Sequence, residues 1–300
     1  ALAALAATAS FAQSSVTLSG LVDAGYQAID YKGAKVNGVA NNGSATSTIQ
    51  ISGSEDLGGG LKANFKLNSD FDVTRNAANQ GFNGSSEGKT TNSSWLNSEK
   101  KVGVSGGFGN VEFGVINNYS LSAFGVGNNF GTAVGGGYRA VTMTDSFGGA
   151  SSAPRFENTV AYSTPTFSGF SATVRTGKKQ TKATSTIGYS TTQFNYDAVG
   201  FTEYGVAYNN GPLNVALAVQ EQDGVNVEGA AANTKGKLTT LGANYAIGAA
   251  KVFALYQTNK YDNNGKDTNF MSGGVDYAMG AVTLKALYGV HKNDLARSEE

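Results

Sequence analysis

The chain of 300 residues has no cysteine, one histidine, one tryptophan and three prolines. Without cysteine there can be no disulfide framework, thiol nucleophile or Cys-ligated zinc, and the composition suits a periplasm-exposed location. A single histidine, His291, leaves little room for Ser-His-Asp chemistry, which needs a base beside a nucleophile. Its alternation with Thr283 and Lys285 marks it as a bystander on the polar face of a strand. Charge is also scarce. Charged residues make up 15% of the chain, against ~25% in soluble domains. The 22 basic and 22 acidic residues cancel, so nothing suggests the basic patch a nucleic-acid partner requires. No segment reaches the ~18 apolar residues of a membrane helix. If the chain crosses a bilayer, it does so as strands.

What is present is alternation. Stretches such as Leu61-Lys62-Ala63-Asn64-Phe65-Lys66-Leu67-Asn68 and Phe170-Ser171-Ala172-Thr173-Val174-Arg175 change polarity at every residue. A strand sends successive side chains to opposite faces, so each stretch has one apolar and one polar face. Strands are predicted near 15–29, 47–57, 60–73, 98–108, 110–120, 157–164, 168–177, 198–209, 212–222, 237–247, 250–260, 268–279 and 281–292. Tight turns at Gly58-Gly59-Gly60, Gly106-Gly107-Phe108-Gly109, Pro165-Thr166-Phe167-Ser168, Asn209-Asn210-Gly211-Pro212, Gly248-Ala249 and Gly280-Ala281 alternate with long Gly/Asn/Ser/Thr-rich loops. The loops lie near 31–46, 74–97, 121–156, 178–197, 223–236 and 261–267. Short turns at one end and long loops at the other are the layout of an outer-membrane barrel, and a soluble sandwich has no reason to sort its loops. Gly248–Tyr256 echoes Gly280–Tyr288 one hairpin later, as a meander of hairpins would. Tyr162, Tyr208, Tyr245 and Tyr277 each precede a tight turn on the apolar face, suggesting an interfacial girdle.

Residues 1–12 (ALAALAATASFA) read as the remnant of a secretory signal peptide, ending in the small-x-small pattern Ser10-Phe11-Ala12. Residues 13–300 then form one domain. Gly125-x-Gly127-x-x-x-Gly131 fails dinucleotide spacing and precedes no amphipathic helix. Asp262-Asn263-Asn264-Gly265-Lys266-Asp267 lacks the remaining ligands of a cation loop. No cofactor, metal or catalytic residue is expected.

Four segments, in order, carry a family resemblance. Ser14–Gly25 (SSVTLSGLVDAG) resembles the mature start of Gram-negative trimeric porins, above all the betaproteobacterial branch. Gly53–Ala63 (GSEDLGGGLKA) is similar to that family's second hairpin, and Gly106–Gly114 (GGFGNVEFG) to the next. Arg155–Phe170 (RFENTVAYSTPTFSGF) resembles its "RxxNSVxYxSPxFxGF" signature. The resemblance implies an all-β, 16-stranded transmembrane antiparallel barrel in the outer membrane. It also implies a homotrimer in contact with outer-membrane lipid and lipopolysaccharide. The activity implied is passive diffusion of small hydrophilic solutes and ions through a water-filled channel, with the loop near 121–156 folded inward. About thirteen strands are counted, an odd number, and the chain ends at Arg297-Ser298-Glu299-Glu300 instead of on a terminal aromatic. The expectation is therefore a chain lacking about three C-terminal strands.

Alternation assigns Thr17, Ser19, Asp23, Lys62, Asn64, Lys66, Glu112, Thr173 and Arg175 to the lumen. In the inward loop the charges are Arg139 and Asp145, with Arg155 where the chain rejoins the wall. The expected pore-lining and constriction set is thus Lys62, Lys66, Glu112, Arg139, Asp145, Arg155 and Arg175. Arginines common in related porins are absent at Thr48, Val115 and Ser163, and Ser52 replaces a usual lysine. So sparse a wall predicts weak selectivity with a mild anion preference. Phe124, Phe130, Tyr138 and Phe147 are expected to pack the loop against the wall. An aromatic track for a specific substrate is the alternative, and a barrel serving as adhesin or surface anchor is a further one.

Overall fold

The computed structural model describes residues 15–31, 34–74, 95–131, 155–178, 200–225, 234–261 and 268–293. Fifteen strands and one helix are assigned among them. In chain order they are β1 (Ser15–Leu21), β2 (Ala24–Tyr31), β3 (Ala34–Asn41), β4 (Thr48–Gly58), β5 (Leu61–Asp70), β6 (Lys100–Gly106) and β7 (Gly109–Asn117). Helix α1 (Tyr119–Gly127) follows. Then come β8 (Arg155–Ser163), β9 (Phe170–Gly177), β10 (Gly200–Asn210), β11 (Leu213–Val225), β12 (Thr234–Ile247), β13 (Ala250–Tyr261), β14 (Thr268–Met279) and β15 (Val282–Asn293).

Thirteen strands form one antiparallel sheet in the order β1-β4-β5-β6 and onward to β15, each paired with its successor. Three of the short connections are two-residue turns with glycine first: Gly211, Gly248 and Gly280 adopt φ of 55°, 58° and 62°. A type I′ or II′ hairpin needs that positive φ at its first central position, and a side chain disfavours it. Every short turn lies at one end of the sheet and every long connection at the other. Among the described residues β1 and β15 each pair on one side only.

The alternation decides the faces. On β12, Leu238, Thr240 and Asn244 are buried while Leu241 and Tyr245 are exposed, and β13 repeats the pattern with buried Leu255, Gln257 and Asn259 against exposed Val252 and Tyr256. Polar and small residues thus occupy the concave face, and Val, Leu, Met and Tyr the convex one. That is inverted relative to a soluble core, as lipid outside and water inside require. Tyr162, Tyr208, Tyr245 and Tyr277 all share the convex parity with exposed Val160, Val206, Leu241 and Val275.

Three predicted elements differ. The strand predicted at 15–29 is interrupted at Val22-Asp23, and the loop predicted at 31–46 contains β3, which pairs with β2 in a separate two-stranded sheet. Asp23 is the cause. Its carboxylate accepts the backbone N–H groups of Gly43, Ser44 and Ala45 at 3.1, 2.8 and 2.7 Å, and Ser47 Oγ bonds its backbone on both sides. Asp23 thereby fixes the corner between the two hairpin segments and is not a bare charge on the wall. The strand predicted to 120 ends at Asn117, because the chain turns inward there as α1.

Candidate functional site

Three inward-facing strands and the root of the inward loop bring charges together. Lys66 on β5 and Lys101 on β6 stand directly opposite each other, a like-charge cross-strand pair that is destabilising on its own. Glu99 resolves it, with Oε2 2.9 Å from Lys66 Nζ and Oε1 3.5 Å from Lys101 Nζ. Lys101 also reaches Glu112 on β7 at 3.0 Å. The result is a linear chain, Lys66–Glu99–Lys101–Glu112, of two cations and two anions.

Asn117, the last residue of β7, gathers the rest. Its N–H donates to Glu99 Oε1 at 3.2 Å, its side-chain oxygen accepts Arg155 Nε at 3.1 Å, and its carbonyl accepts Arg175. Arg155 in turn pairs with Asp70 at 3.4 Å. The point where the chain leaves the wall is therefore tied to Glu99 just ahead of β6, to β8 and β9, and through Arg155 to Asp70 on β5.

Helix α1 then lies against the opposite part of the wall, on β10 to β13. Asn118 caps it, accepting the N–H of Leu121 at 2.8 Å. Glu203, wholly buried on β10, accepts the N–H groups of Tyr119 and Ser120 and the Ser120 hydroxyl, the last two at 2.8 and 2.9 Å. A carboxylate at a helix N-terminus meets both orphan N–H groups and the positive end of the dipole. Arg175 sits 5.2 Å over the Tyr119 ring. Burial pushes the Tyr119 hydroxyl above its usual pKa, against the pull of Arg175 and reinforced by Glu203.

The wall under the helix is made of small residues. Ala216 and Ala218 are buried against Ala123. A Cβ on Gly242 would stand 2.0 Å from the Ala123 carbonyl oxygen, and one on Gly205 would stand 2.1 Å from the Tyr119 ring. Phe124 is wholly buried and stacks on Phe270 of β14 with ring centroids 6.4 Å apart. Beyond the helix, Asn129 donates to the Val275 and Ala286 carbonyls and to Asp276 at 3.1, 3.1 and 2.7 Å, and its carbonyl accepts Lys285 Nζ at 2.9 Å. An inward segment clamped at its root, its helix and its exit narrows a channel rather than filling a closed core.

The family profile described as Gram-negative porin matches residues 1–300. The chain belongs to the Gram-negative porin family. Outer membrane porin protein 32 of Delftia acidovorans is 35% identical over 271 residues, 87% of this chain and 69% of that protein. An outer membrane porin protein of Bordetella pertussis is 28% identical, over 83% of this chain and 63% of its own length. Among solved structures, an anion-selective porin from Comamonas acidovorans superposes with a TM-score of 0.72 at 29% identity, covering 94% of this chain and 80% of that one. OmpT of Vibrio cholerae, in its trimer form, shares the fold at 16% identity and a TM-score of 0.50, over 93% and 89% of the two chains. This porin is an outer-membrane β-barrel channel.

Of the residues expected to line the porin's constriction, Lys66, Glu112, Arg155 and Arg175 converge around Glu99 and Asn117. Lys62 stands apart, exposed near the short turns. Arg139, Asp145, Tyr138 and Phe147 lie outside the described residues. Alternation missed Glu99, Asp70 and Glu203, and did not single out Lys101, Lys285 or Asp276. Lys101 could have been found, since its parity with Gly103 and Ser105 is inward. Glu99 lies within the strand predicted at 98–108 and shares the inward parity of Lys101, so alternation could have found it as well. Glu203 looks on sequence like any polar residue of an alternating strand.

Proposed function

We propose that this porin is a general diffusion channel for small hydrophilic solutes and ions, with a mild anion preference, and that it works as a homotrimer embedded among outer-membrane lipid and lipopolysaccharide. The observation that carries this reading is the self-neutralising ladder at the loop root. Two unit charges ~4 Å apart interact by ~1 kcal/mol in bulk water and by ~4 kcal/mol near a protein surface. A lysine already paired at 2.9 Å therefore offers a passing anion only what its partner leaves. Lys62, which stands outside the ladder, tips the balance toward anions, and salt screens what extends beyond ~10 Å at 0.1 M. The anion selectivity named for the Comamonas acidovorans porin points the same way.

Reversal potentials across a planar bilayer in a KCl gradient test it. The channel is expected to lean weakly to chloride. Lys66→Glu should move it toward cations, and Glu99→Gln should move it further toward anions by uncovering two lysines together. Identical potentials for both variants and the unaltered porin would show that the ladder does not face the conducting path. Cross-linking in mild detergent should give a three-copy band. A monomer under all cross-linker concentrations would count against the trimer, whose support is the family and the trimeric form of OmpT.

A further inference from the structure

Next to the short turns, the inward face carries a lysine that the inward segment leaves unpaired. On β13, Lys251 shares the inward parity of buried Leu255 and Gln257. It lies opposite Asp276 on β14, and Asp276 lies opposite Lys285 on β15. By register Asp276 could neutralise either lysine, since opposite charges facing each other across strands attract. The exit of the inward segment decides between them. Asn129 donates to Asp276 Oδ1 at 2.7 Å, and its backbone carbonyl holds Lys285 Nζ at 2.9 Å, which sets that ammonium 3.4 Å from Asp276 Oδ2. Both oxygens of Asp276 are thereby engaged. Lys251 is left 5.2 Å over the Phe253 ring, a contact that keeps its charge intact.

β5 repeats the arrangement on another arc of the wall. Lys62 lies opposite Asp56 on β4, whose Oδ1 accepts the turn N–H of Gly58 at 2.8 Å. Lys62 and Lys251 are each the second residue of a strand that follows a short turn. Among the described inward-facing lysines these two have no carboxylate in salt-bridge reach, whereas Lys66, Lys101 and Lys285 each have one.

We propose that Lys251 is a selectivity residue acting from the short-turn mouth, where, with Lys62, it gathers small anions at one end of the channel. The inference rests on the porin reading, which makes this face a conducting wall. An ammonium without a partner in a water-lined mouth enriches counter-ions around it. Its reach is ~10 Å at 0.1 M salt and ~3 Å at 1 M, so its effect stays local. Chloride entering by that mouth draws on the enriched supply, and chloride entering by the other does not. The anion preference is therefore directional under an applied voltage. The inward segment shares in it, because Asn129 and Lys285 keep Asp276 from neutralising Lys251.

Single channels are recorded in planar bilayers. Their orientation is read from a biotin on T166C, an exposed turn position in a chain without native cysteine, by adding streptavidin to one chamber. The quantity measured is the current with chloride entering by the short-turn mouth, divided by the current with chloride leaving by it. In symmetric 0.1 M KCl this ratio should fall about 1.5-fold or more in K251E, and by less in K251Q. In 1 M KCl, where fixed charge is screened, both variants should match the unaltered porin. A difference that persists there would assign the effect to an altered barrel and overturn the charge argument. An unchanged ratio in both variants at 0.1 M would overturn the role of Lys251. A reversal potential that moves toward cations while the ratio stays put would overturn the one-sided placement. A protein that conducts nothing fails the porin reading itself, whereas a conducting one with unchanged ratios fails this inference alone.

Discussion

Gly242→Ala is expected to lower single-channel conductance and to destabilise the folded barrel by about 1–3 kcal/mol, the usual cost of overpacking. The added Cβ would stand 2.0 Å from the Ala123 carbonyl oxygen and 2.7 Å from the Gly127 nitrogen. Both are backbone atoms of α1, so no rotamer change relieves the clash, and the helix must rise off the wall. The space it can rise into is the lumen, hence the fall in conductance. Gly273→Ala is the control. It places a Cβ whose nearest neighbour is 3.9 Å away, and both conductance and resistance to denaturant should match the unaltered porin. A normal conductance for Gly242→Ala, beside the same control, would mean that the helix seat does not set the width of the channel.

Glu203→Ala is expected to loosen the same segment without adding bulk. The substitution strips acceptors from the N–H groups of Tyr119 and Ser120 and from the Ser120 hydroxyl. Buried donors left unpaired cost about 1–3 kcal/mol each, and removing one member of a buried charged network typically costs about 3–5 kcal/mol. Arg175, beside both Tyr119 and Glu203, loses its facing carboxylate as well. The open-channel current should become noisy, and the inward loop should be cut faster by protease. Glu203→Gln keeps one side-chain oxygen as an acceptor and should fall between the two. A quiet current and unchanged proteolysis in Glu203→Ala would show that Asn118, the small-residue wall and the Asn129 contacts hold the loop unaided.

The clamp that these two variants probe was hardly visible in the sequence. Tyr119–Gly127 contains two glycines, which disfavour helix, and no amphipathic stripe. It is helical because Asn118 and Glu203 satisfy its first turn and because Gly205, Ala218 and Gly242 leave room for its backbone. Each of those residues reads on its own as an unremarkable position in an alternating strand. The partners are also far apart in the chain: Tyr119 and Glu203 are separated by 84 residues. The aromatic at 124 was expected to pack against the wall, and it does, on Phe270.

Asp23 and Lys66 show the same division in the charged residues. Parity placed both on the polar face. For Lys66 parity was enough to find the face, but not the partner, since Glu99 shares that inward parity with other charges and only the register across β5 and β6 decides which cation it meets. For Asp23 parity misled, because three successive backbone N–H groups at 43–45 turn its carboxylate into part of a corner.

The sequence by itself determined the strands of the large sheet, their order, the facing of most of their side chains and the sorting of short turns from long connections, but not the separate β2–β3 pair. All of these follow from local physics: a period of two, glycine at positive φ, and neighbouring strands pairing through tight turns. Tertiary structure alone decided which charges neutralise one another and where the inward loop comes to rest. Those outcomes depend on curvature and register accumulated over many strands, which bring together residues that no local rule connects.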